Sequence, residues 1–189
     1  ANEIDFSDVK TVNLDEYLGL DGDHDQSYRT FMNEQLFNHI NIDKKNTHVP
    51  NGVSEDPDQT SAQYDELLRE LGSADIQVLG IGANGHIAFN EPNETLNINT
   101  HVTDLLDSTI EANARFFDSK DEVPKQAITM GIGSIMTAKK IILLASGSNK
   151  AAVIKQLSDE FVTTQNPATL SKLHPNVIVL VDKEAGAQL

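Results

Sequence analysis

A histidine with a carboxylate and an amide nearby lies in the stretch GIGANGHIAFNE (residues 80–91), which contains Asn84, His86 and Glu91. The unperturbed pKa of a histidine is about 6.5, so its ring can accept and release protons near neutral pH. A nearby carboxylate and amide can hold that ring in one tautomer. The residue types and their spacing therefore predict a general acid–base site, and a loop histidine hydrogen-bonded to backbone is the alternative that they leave open.

Asp15, in VNLDEYLGL (residues 12–20), is a second candidate for proton transfer. The apolar residues before it end a predicted strand, so its carboxylate could extend into a crevice and act as a general base. A solvated loop acid or a helix-capping acid is the other interpretation, and on this fragment alone that interpretation is favoured.

A candidate anion site follows the apolar run that ends at residue 145, where a Ser-Gly-Ser turn (residues 146–148) precedes Lys150 at the start of a predicted helix. Backbone N–H groups, the positive helix end and an ammonium group could all face one anion. An ordinary strand-to-helix turn has a similar composition. Arg115 is a further cation in a predominantly acidic chain.

Gly80, Gly82 and Gly85 have the G-x-G-x-x-G spacing of a dinucleotide-binding loop. The residues after Gly85, HIAFNEPNET, do not predict the long helix that such a loop requires. We therefore expect a tight glycine turn that brings the backbone close to a ligand. One His, one Glu and one Asn match no standard metal-ligand set, so a metal site is not expected.

Short runs rich in β-branched residues alternate with helical patterns along the chain, which is typical of βαβ units. The predicted fold class is α/β, with an open, mainly parallel sheet flanked by helices. Helices are expected around residues 28–36, 64–71, 107–117 and 149–157, and the segment NGVSEDPDQT (residues 51–60) is expected to be a surface loop. Strands are expected at residues 9–14, 76–81, 127–131, 141–145 and 177–181. No linker divides residues 1–189, so a single domain is predicted.

The chain carries 14 Lys and Arg against 29 Asp and Glu, a net charge of −15, which disfavours nucleic acid as a partner. No apolar stretch of about 18 residues indicates a membrane span. The absence of cysteine fits a cytoplasmic protein. These features favour a small-molecule partner, while self-association is not derivable from them.

Several motifs together resemble the glucosamine-6-phosphate deaminases, also called glucosamine-6-phosphate isomerases. The resemblance covers essentially all 189 residues. It rests on the order and approximate spacing of VNLDEYLGL, SYRTFM, GIGANGHIAFNEP, ARFFD, VPKQAITMGIGSI, GSNKA and KLHP.

The resemblance implies a Rossmann-like fold and amino-sugar catabolism, with conversion of glucosamine 6-phosphate and water to fructose 6-phosphate and ammonia. It also implies that this reaction needs no metal or organic cofactor. It implies that Asp15 moves a proton from C2 to C1 and that His86, supported by Glu91 and Asn84, promotes ring opening. Asn84 stands where some members have Asp, which favours an orienting role over a charged one. Arg115 and Lys150 match the positions that bind the sugar phosphate.

Members of this family normally begin with an additional strand and helix carrying a phosphate loop, so the chain is expected to be N-terminally incomplete and to bind substrate poorly by itself. His101 and Thr103 stand where allosteric members carry a basic pair, which predicts simple saturation kinetics.

Two other functions remain open at this point. One is a 6-phosphogluconolactonase-like hydrolase, although that family resembles DER rather than the DEY found here. The other is a non-catalytic sugar-phosphate-sensing effector domain, which would not require Asp15, His86 and Glu91 together.

Overall fold

The computed structural model describes residues 4–189, which form two compact units. Unit 1 contains residues 4–61 and 102–129, and unit 2 contains residues 62–101 and 130–189. The single-domain interpretation of the sequence stays a prediction.

Eight strands are described. In chain order they are β1 (Thr11–Val12), β2 (Asp15–Tyr17), β3 (Thr47–His48), β4 (Gln77–Leu79), β5 (His101–Asp104), β6 (Gln126–Thr129), β7 (Ile141–Ala145) and β8 (Val177–Val181). The last two have the bounds predicted from the sequence. Both are apolar runs, and β8 is mostly β-branched, which suits a pleated strand.

Five α-helices are described: α1 (Tyr28–Met32), α2 (Pro57–Leu71), α3 (Asp107–Asn113), α4 (Ile132–Met136) and α5 (Ala151–Lys155). A π-helical turn, Asn33–Phe37, continues α1. Short 3₁₀ turns extend α3 through Ala114–Phe116 and flank α5 at Ser148–Lys150 and Gln156–Ser158. The predicted helices are thus present, but the shorter ones are composites of different helical turns.

The sheet of unit 2 has the order β4-β7-β8, and both pairings are parallel. Leu79 pairs with Leu143, which in turn pairs with Val179. Leu79 and Leu143 are fully buried, whereas Val78 and Leu180 are about half exposed. This parallel sheet with its helices confirms the predicted α/β class, and its core lies on one face.

The strands of unit 1 are shorter. β1 pairs parallel with β3, while β2 runs antiparallel to β6 in a sheet of order β2-β6-β5. A strand does precede Asp15, as predicted, but β1 is limited to Thr11–Val12. Asp15 is itself the first residue of the next strand, β2, opposite Thr129, which the sequence did not predict. Glu16 and Tyr17 are buried in this pairing, so tertiary contacts decide it.

Helix α2 begins earlier than predicted. Pro57 stands at its first position, and the Asp56 side chain accepts a hydrogen bond from Gln59 N at 2.9 Å. An Asp cap followed by Pro is a helix start signal, so interpreting residues 57–60 as loop was wrong. At the other end Gly72 has φ +79° and its N–H bonds to Leu68 O, as expected for a glycine C-cap. Within residues 4–189, no helix has the length and apolar character needed to span a bilayer.

Candidate functional site

The segment of residues 82–91, called the His86 loop below, begins with a closed turn. Gly85 N donates to Gly82 O at 3.0 Å, and Gly82 N donates to His86 O at 2.9 Å. Gly85 has φ +90°, a conformation that side-chain-bearing residues rarely adopt. No helix follows between residues 86 and 100. The structure therefore agrees with a tight turn and does not have the helix of a dinucleotide-binding loop.

A second turn brings His86 and Glu91 together. Ile87 and Asn90 form an isolated antiparallel bridge, and Ala88 between them has φ +52°. The side chain of Asn90 is buried and donates to Ile87 O at 3.1 Å and to Met130 O at 2.9 Å. Asn90, which the sequence interpretation did not single out, thus holds the turn closed.

The Glu91 carboxylate is the centre of a hydrogen-bonded triad. Its Oε2 lies 2.9 Å from His86 Nδ1 and accepts a hydrogen bond from Asn84 Nδ2 at 2.7 Å. Asn84 also accepts a bond from the backbone N–H of His86 at 3.1 Å. The structure therefore brings together three of the predicted site residues. The uncharged Asn84 orients both Glu91 and His86 through these hydrogen bonds.

The triad determines which histidine nitrogen is available. A carboxylate only accepts hydrogen bonds, so Nδ1 of the neutral ring carries the proton and Nε2 keeps a lone pair. The side chain of Glu91 is 7% exposed and that of His86 is 19% exposed. The arrangement is that of a partly accessible general base backed by a buried acid.

Replacing Gly82 with alanine is expected to lower activity at least about tenfold by displacing the His86 ring. A β-carbon at this position would lie 2.6 Å from His86 Nε2, and no positive φ prevents the backbone from accepting alanine. Steady-state kinetics with glucosamine 6-phosphate, the substrate that the sequence resemblance implies, measures the effect. Gly80→Ala is the matched control, because a β-carbon there meets no atom within 4 Å. Equal activities of the two variants would contradict the prediction.

Asp15, in unit 1, has an altered acidity. Desolvation of its carboxyl raises the pKa from 3.8 to about 7, and the negative charge of Glu16 acts in the same direction. The residue as a whole remains partly exposed. A carboxyl with a pKa near 7 can take up and return a proton at neutral pH, which suits a general acid–base.

Glu16 has a role that the sequence interpretation missed. It is 2% exposed, its Oε1 accepts from the backbone N–H of Tyr17 and Tyr28, and its Oε2 accepts from Arg29 N at 3.1 Å. Burial nevertheless raises the pKa of Glu16. The acid adjacent to Asp15 therefore anchors the start of α1, and no local sequence pattern reports a contact made across more than ten residues.

Two tyrosines lie near Asp15. The rings of Tyr17 and Tyr28 stack with centroids 5.1 Å apart, and their side chains share a hydrogen bond. Burial and then the charge of Asp15 raise the pKa of Tyr28 well above its usual value. Both tyrosines therefore remain protonated at neutral pH, and they contribute hydroxyl groups rather than charge.

The predicted anion site is only partly as expected. Lys150 ends the 3₁₀ turn before α5, as the sequence indicates. However, the Asp182 carboxylate accepts bonds from Ser146 Oγ at 2.7 Å and from Gly147 N at 3.0 Å. The hydrogen bond from Ala185 N, together with those from Ser146 and Gly147, holds the pKa of Asp182 below its usual value. The expectation that backbone N–H groups of this turn face a ligand is wrong for Gly147, because an acid that follows β8 already occupies that donor as well as the Ser146 hydroxyl.

Arg115 is exposed in the 3₁₀ turn after α3, in unit 1. Its guanidinium lies 4.6 Å from the ring centroid of Phe116, which is itself half exposed. A guanidinium stacked on an exposed ring keeps its N–H donors at the surface, so Arg115 is available for an anionic ligand.

The part of the chain that the structure describes has no cluster of three or more His, Cys, Asp or Glu side chains arranged to hold a metal ion. The expectation that no metal or organic cofactor takes part stays a prediction.

The parallel sheet with its helices and the His-Glu-Asn triad define the class of protein, an α/β protein with a candidate acid–base site. More particularly, residues 1–179 match the family described as glucosamine-6-phosphate isomerases/6-phosphogluconolactonase, and the chain belongs to it. The chain is 58% identical over 187 residues to the glucosamine-6-phosphate deaminase of Clostridium perfringens (strain 13 / Type A), which is 99% of this chain and 77% of the relative. It is 56% identical over 185 residues to that of Thermoanaerobacter pseudethanolicus (strain ATCC 33223 / 39E), 98% of this chain and 73% of the relative.

Solved structures agree with these relatives. A monomeric glucosamine-6-phosphate deaminase superposes with a TM-score of 0.97 at 43% identity, over 100% of this chain and 78% of the other. The 6-phosphogluconolactonase of Trypanosoma brucei has a TM-score of 0.75 at 19% identity, over 94% of this chain and 73% of the other. At that identity the second likeness shows the fold alone.

Proposed function

We propose that the chain is an enzyme that converts glucosamine 6-phosphate and water to fructose 6-phosphate and ammonia. The observation that carries this function is the pairing of His86 Nδ1 with Glu91 Oε2 at 2.9 Å in a chain 58% identical to a named deaminase. The high identity supports the reaction, and the triad supplies a base suited to its first step.

In the proposed first step His86 assists opening of the sugar ring. Opening transfers a proton from the O1 hydroxyl to the ring oxygen O5 while the C1–O5 bond breaks. Nε2 of His86 takes up the O1 proton and the resulting imidazolium donates it to O5. The Glu91 carboxylate stabilises that imidazolium, and Asn84 holds Glu91 in place.

In the proposed second step Asp15 moves a proton along the open chain. Its carboxylate removes the proton from C2 while O1 takes up a proton from solvent, which gives an enolamine. Its carboxylic acid form then returns a proton to C1 while the amino nitrogen releases one. The product is an imine at C2. Water adds to that carbon and the C–N bond breaks, releasing ammonia and fructose 6-phosphate. A pKa of about 7 makes both forms of Asp15 accessible during the cycle.

Lys150 and Arg115 are the proposed ligands of the substrate phosphate. Lys150 lies at the beginning of α5, and Arg115 is exposed on its 3₁₀ turn. Because Asp182 bonds the Ser146 hydroxyl and Gly147 N–H, we do not assign those groups to the phosphate. Positively charged side chains are well suited to hold a phosphate ester during proton transfers at the other end of the sugar.

The test is a coupled assay that detects ammonium and fructose 6-phosphate released from glucosamine 6-phosphate by the full chain. It uses high substrate concentrations, because weak substrate binding is expected. Release of both products in equal amounts is the expected result. Binding of glucosamine 6-phosphate without turnover would favour the sensing-domain interpretation. Hydrolysis of a 6-phosphogluconolactone without ammonium release from the amino sugar would favour the lactonase interpretation.

The rate is expected to depend hyperbolically on glucosamine 6-phosphate concentration. The sequence resemblance matches His101 and Thr103 to the positions of the basic pair in allosteric members. Strand β5, which contains both residues, has no Lys or Arg. Initial-rate measurements with and without N-acetylglucosamine 6-phosphate check this expectation. A sigmoidal curve that this compound converts to a hyperbola would contradict it.

We further propose a cytoplasmic enzyme of amino-sugar catabolism whose partner is a sugar phosphate. The acidic chain without cysteine supports this proposal. Self-association is left to measurement by light scattering.

A further inference from the structure

Asn166 is a buried residue that contacts the His86 loop from within unit 2. It is 1% exposed, and its Nδ2 donates to Val153 O at 3.1 Å and to Gln156 Oε1 at 3.1 Å. Val153 lies in α5, and Gln156 begins the 3₁₀ turn that follows. The nitrogen end of this carboxamide is therefore attached to the α5 region.

The oxygen end of the same carboxamide faces Gly85. A β-carbon added to Gly85 would lie 2.3 Å from Asn166 Oδ1 and 2.6 Å from Cγ. The hydrogen that Gly85 has in that direction consequently points at Oδ1, which is buried and accepts no conventional hydrogen bond within the described residues. This is the geometry of a weak C–H···O contact. Ala168 N also donates to Gly85 O at 2.9 Å.

Gly85 stands between Asn84 and His86, so its position directly affects both members of the triad. The other end of Asn166 is attached to the helix that begins immediately after Lys150. One buried amide thus connects the loop of the proton-transfer group with the helix of the proposed phosphate ligand.

We propose that Asn166 is a positioning residue that sets the placement of His86 relative to Lys150. The inference rests on the proposed function, because that function assigns ring opening to His86, at one end of the Asn166 amide, and phosphate binding to Lys150, near the other end. A substrate held by its phosphate must present its O1 and O5 atoms to Nε2, and small errors in such a distance have large effects on rate.

The test compares Asn166→Ala with Ser171→Ala in the full chain. Ser171 is the matched control because it is buried in the 3₁₀ helix Pro167–Leu173, which Asn166 directly precedes, and its hydroxyl donates to Ala168 O at 2.7 Å. Asn166→Ala is expected to lower kcat for ammonium release at least about tenfold. Inhibition by inorganic phosphate is expected to stay within about twofold of the unmodified chain, because Lys150 itself is retained. Ser171→Ala is expected to keep kcat within about twofold of the unmodified chain, while its thermal stability decreases about as much as that of Asn166→Ala.

A double-mutant cycle separates positioning from general damage. Gly85→Ala adds a β-carbon that collides with the Asn166 carboxamide, and Asn166→Gly removes that carboxamide. The strain that alanine meets at φ +90°, and its contact with the Asn166 Cα, are present in both Gly85→Ala backgrounds and cancel in the cycle. If Asn166 acts through Gly85, the double variant is no slower than the slower single variant. Multiplicative losses in kcat would show that the two residues act independently and would overturn the proposal.

Hydrogen exchange provides a readout that needs no catalysis. Amides of residues 82–91 are expected to exchange faster in Asn166→Ala than in Ser171→Ala. Equal exchange in the two variants, or equal kcat, would overturn the positioning role. If the unmodified chain releases no ammonium, the proposed function fails, and the exchange comparison still decides whether Asn166 anchors the loop.

Discussion

Replacing Asp15 with asparagine is expected to lower kcat for ammonium release by at least about 10²-fold, the lower end of what a positioned general base contributes. The variant keeps the size and the polar character of the side chain but cannot accept the C2 proton. Asp104→Asn is the matched control, since Asp104 is an exposed acid of β5 whose Oδ1 accepts from Gln126 and would still do so as an amide oxygen. Comparable losses in both variants would contradict the assignment of Asp15 as the base.

The pH dependence should change in the same variant. The pKa of Asp15 is raised to about 7, so the active carboxylate form declines as the pH falls below that value. We expect kcat/KM of the unmodified chain to fall on the acid side of neutrality and the residual activity of Asp15→Asn to lack that dependence. Rate profiles from pH 5 to 9 test this, and the same acid limb in both proteins would assign it to another group.

Stability should respond in the opposite sense to activity. Between pH 3.8 and about 7 the folded chain keeps a proton on Asp15 that the unfolded chain has released, so the free energy of unfolding decreases as the pH rises through this range. This decrease in the free energy of unfolding, roughly 4 kcal/mol at most by linkage, is complete above pH 7. Asp15→Asn is therefore expected to be more stable than the unmodified chain at pH 8 and to lose that advantage near pH 4. Denaturant unfolding at the two pH values measures it, and an advantage independent of pH would contradict the linkage.

Replacing His86 with glutamine is the second substitution expected to have a large effect, a loss in kcat of about 10² to 10⁴-fold. Glutamine has no ring nitrogen that can accept a proton near neutral pH. Glu91→Gln is expected to have a smaller effect, about tenfold to 10²-fold, because an amide oxygen can still accept from His86 Nδ1 and Asn84 Nδ2 but no longer stabilises an imidazolium.

The double variant distinguishes a Glu91 that acts through His86 from one that acts on its own. If Glu91 only orients and stabilises the histidine, His86→Gln with Glu91→Gln is no slower than His86→Gln alone. A further loss of the full Glu91→Gln factor would mean that the carboxylate contacts the substrate itself. Steady-state ammonium release from the four proteins of this cycle provides the comparison.

Local sequence was sufficient where residue types and close spacing alone determine the local structure. β7 and β8 are apolar runs whose type and bounds follow from composition, and they match the predicted residues. The glycine turn follows from the Gly82 and Gly85 spacing and from the residues after them, which do not support a helix. The candidates Asn84, His86 and Glu91 lie within one short loop, so their pairing is a consequence of two tight turns.

Contacts between distant residues decided the rest. Asp15 became a strand residue because β2 pairs with β6, more than a hundred residues later, and its pKa of about 7 comes from burial that no spacing predicts. Asp182 took the Ser146 and Gly147 donors because β8 ends beside β7. The sequence by itself thus determined which groups could move protons, since that depends on residue type and neighbours. Tertiary structure decided their acidity and which donors stay available, because desolvation and long-range hydrogen bonds depend on where the folded chain places residues far apart in sequence.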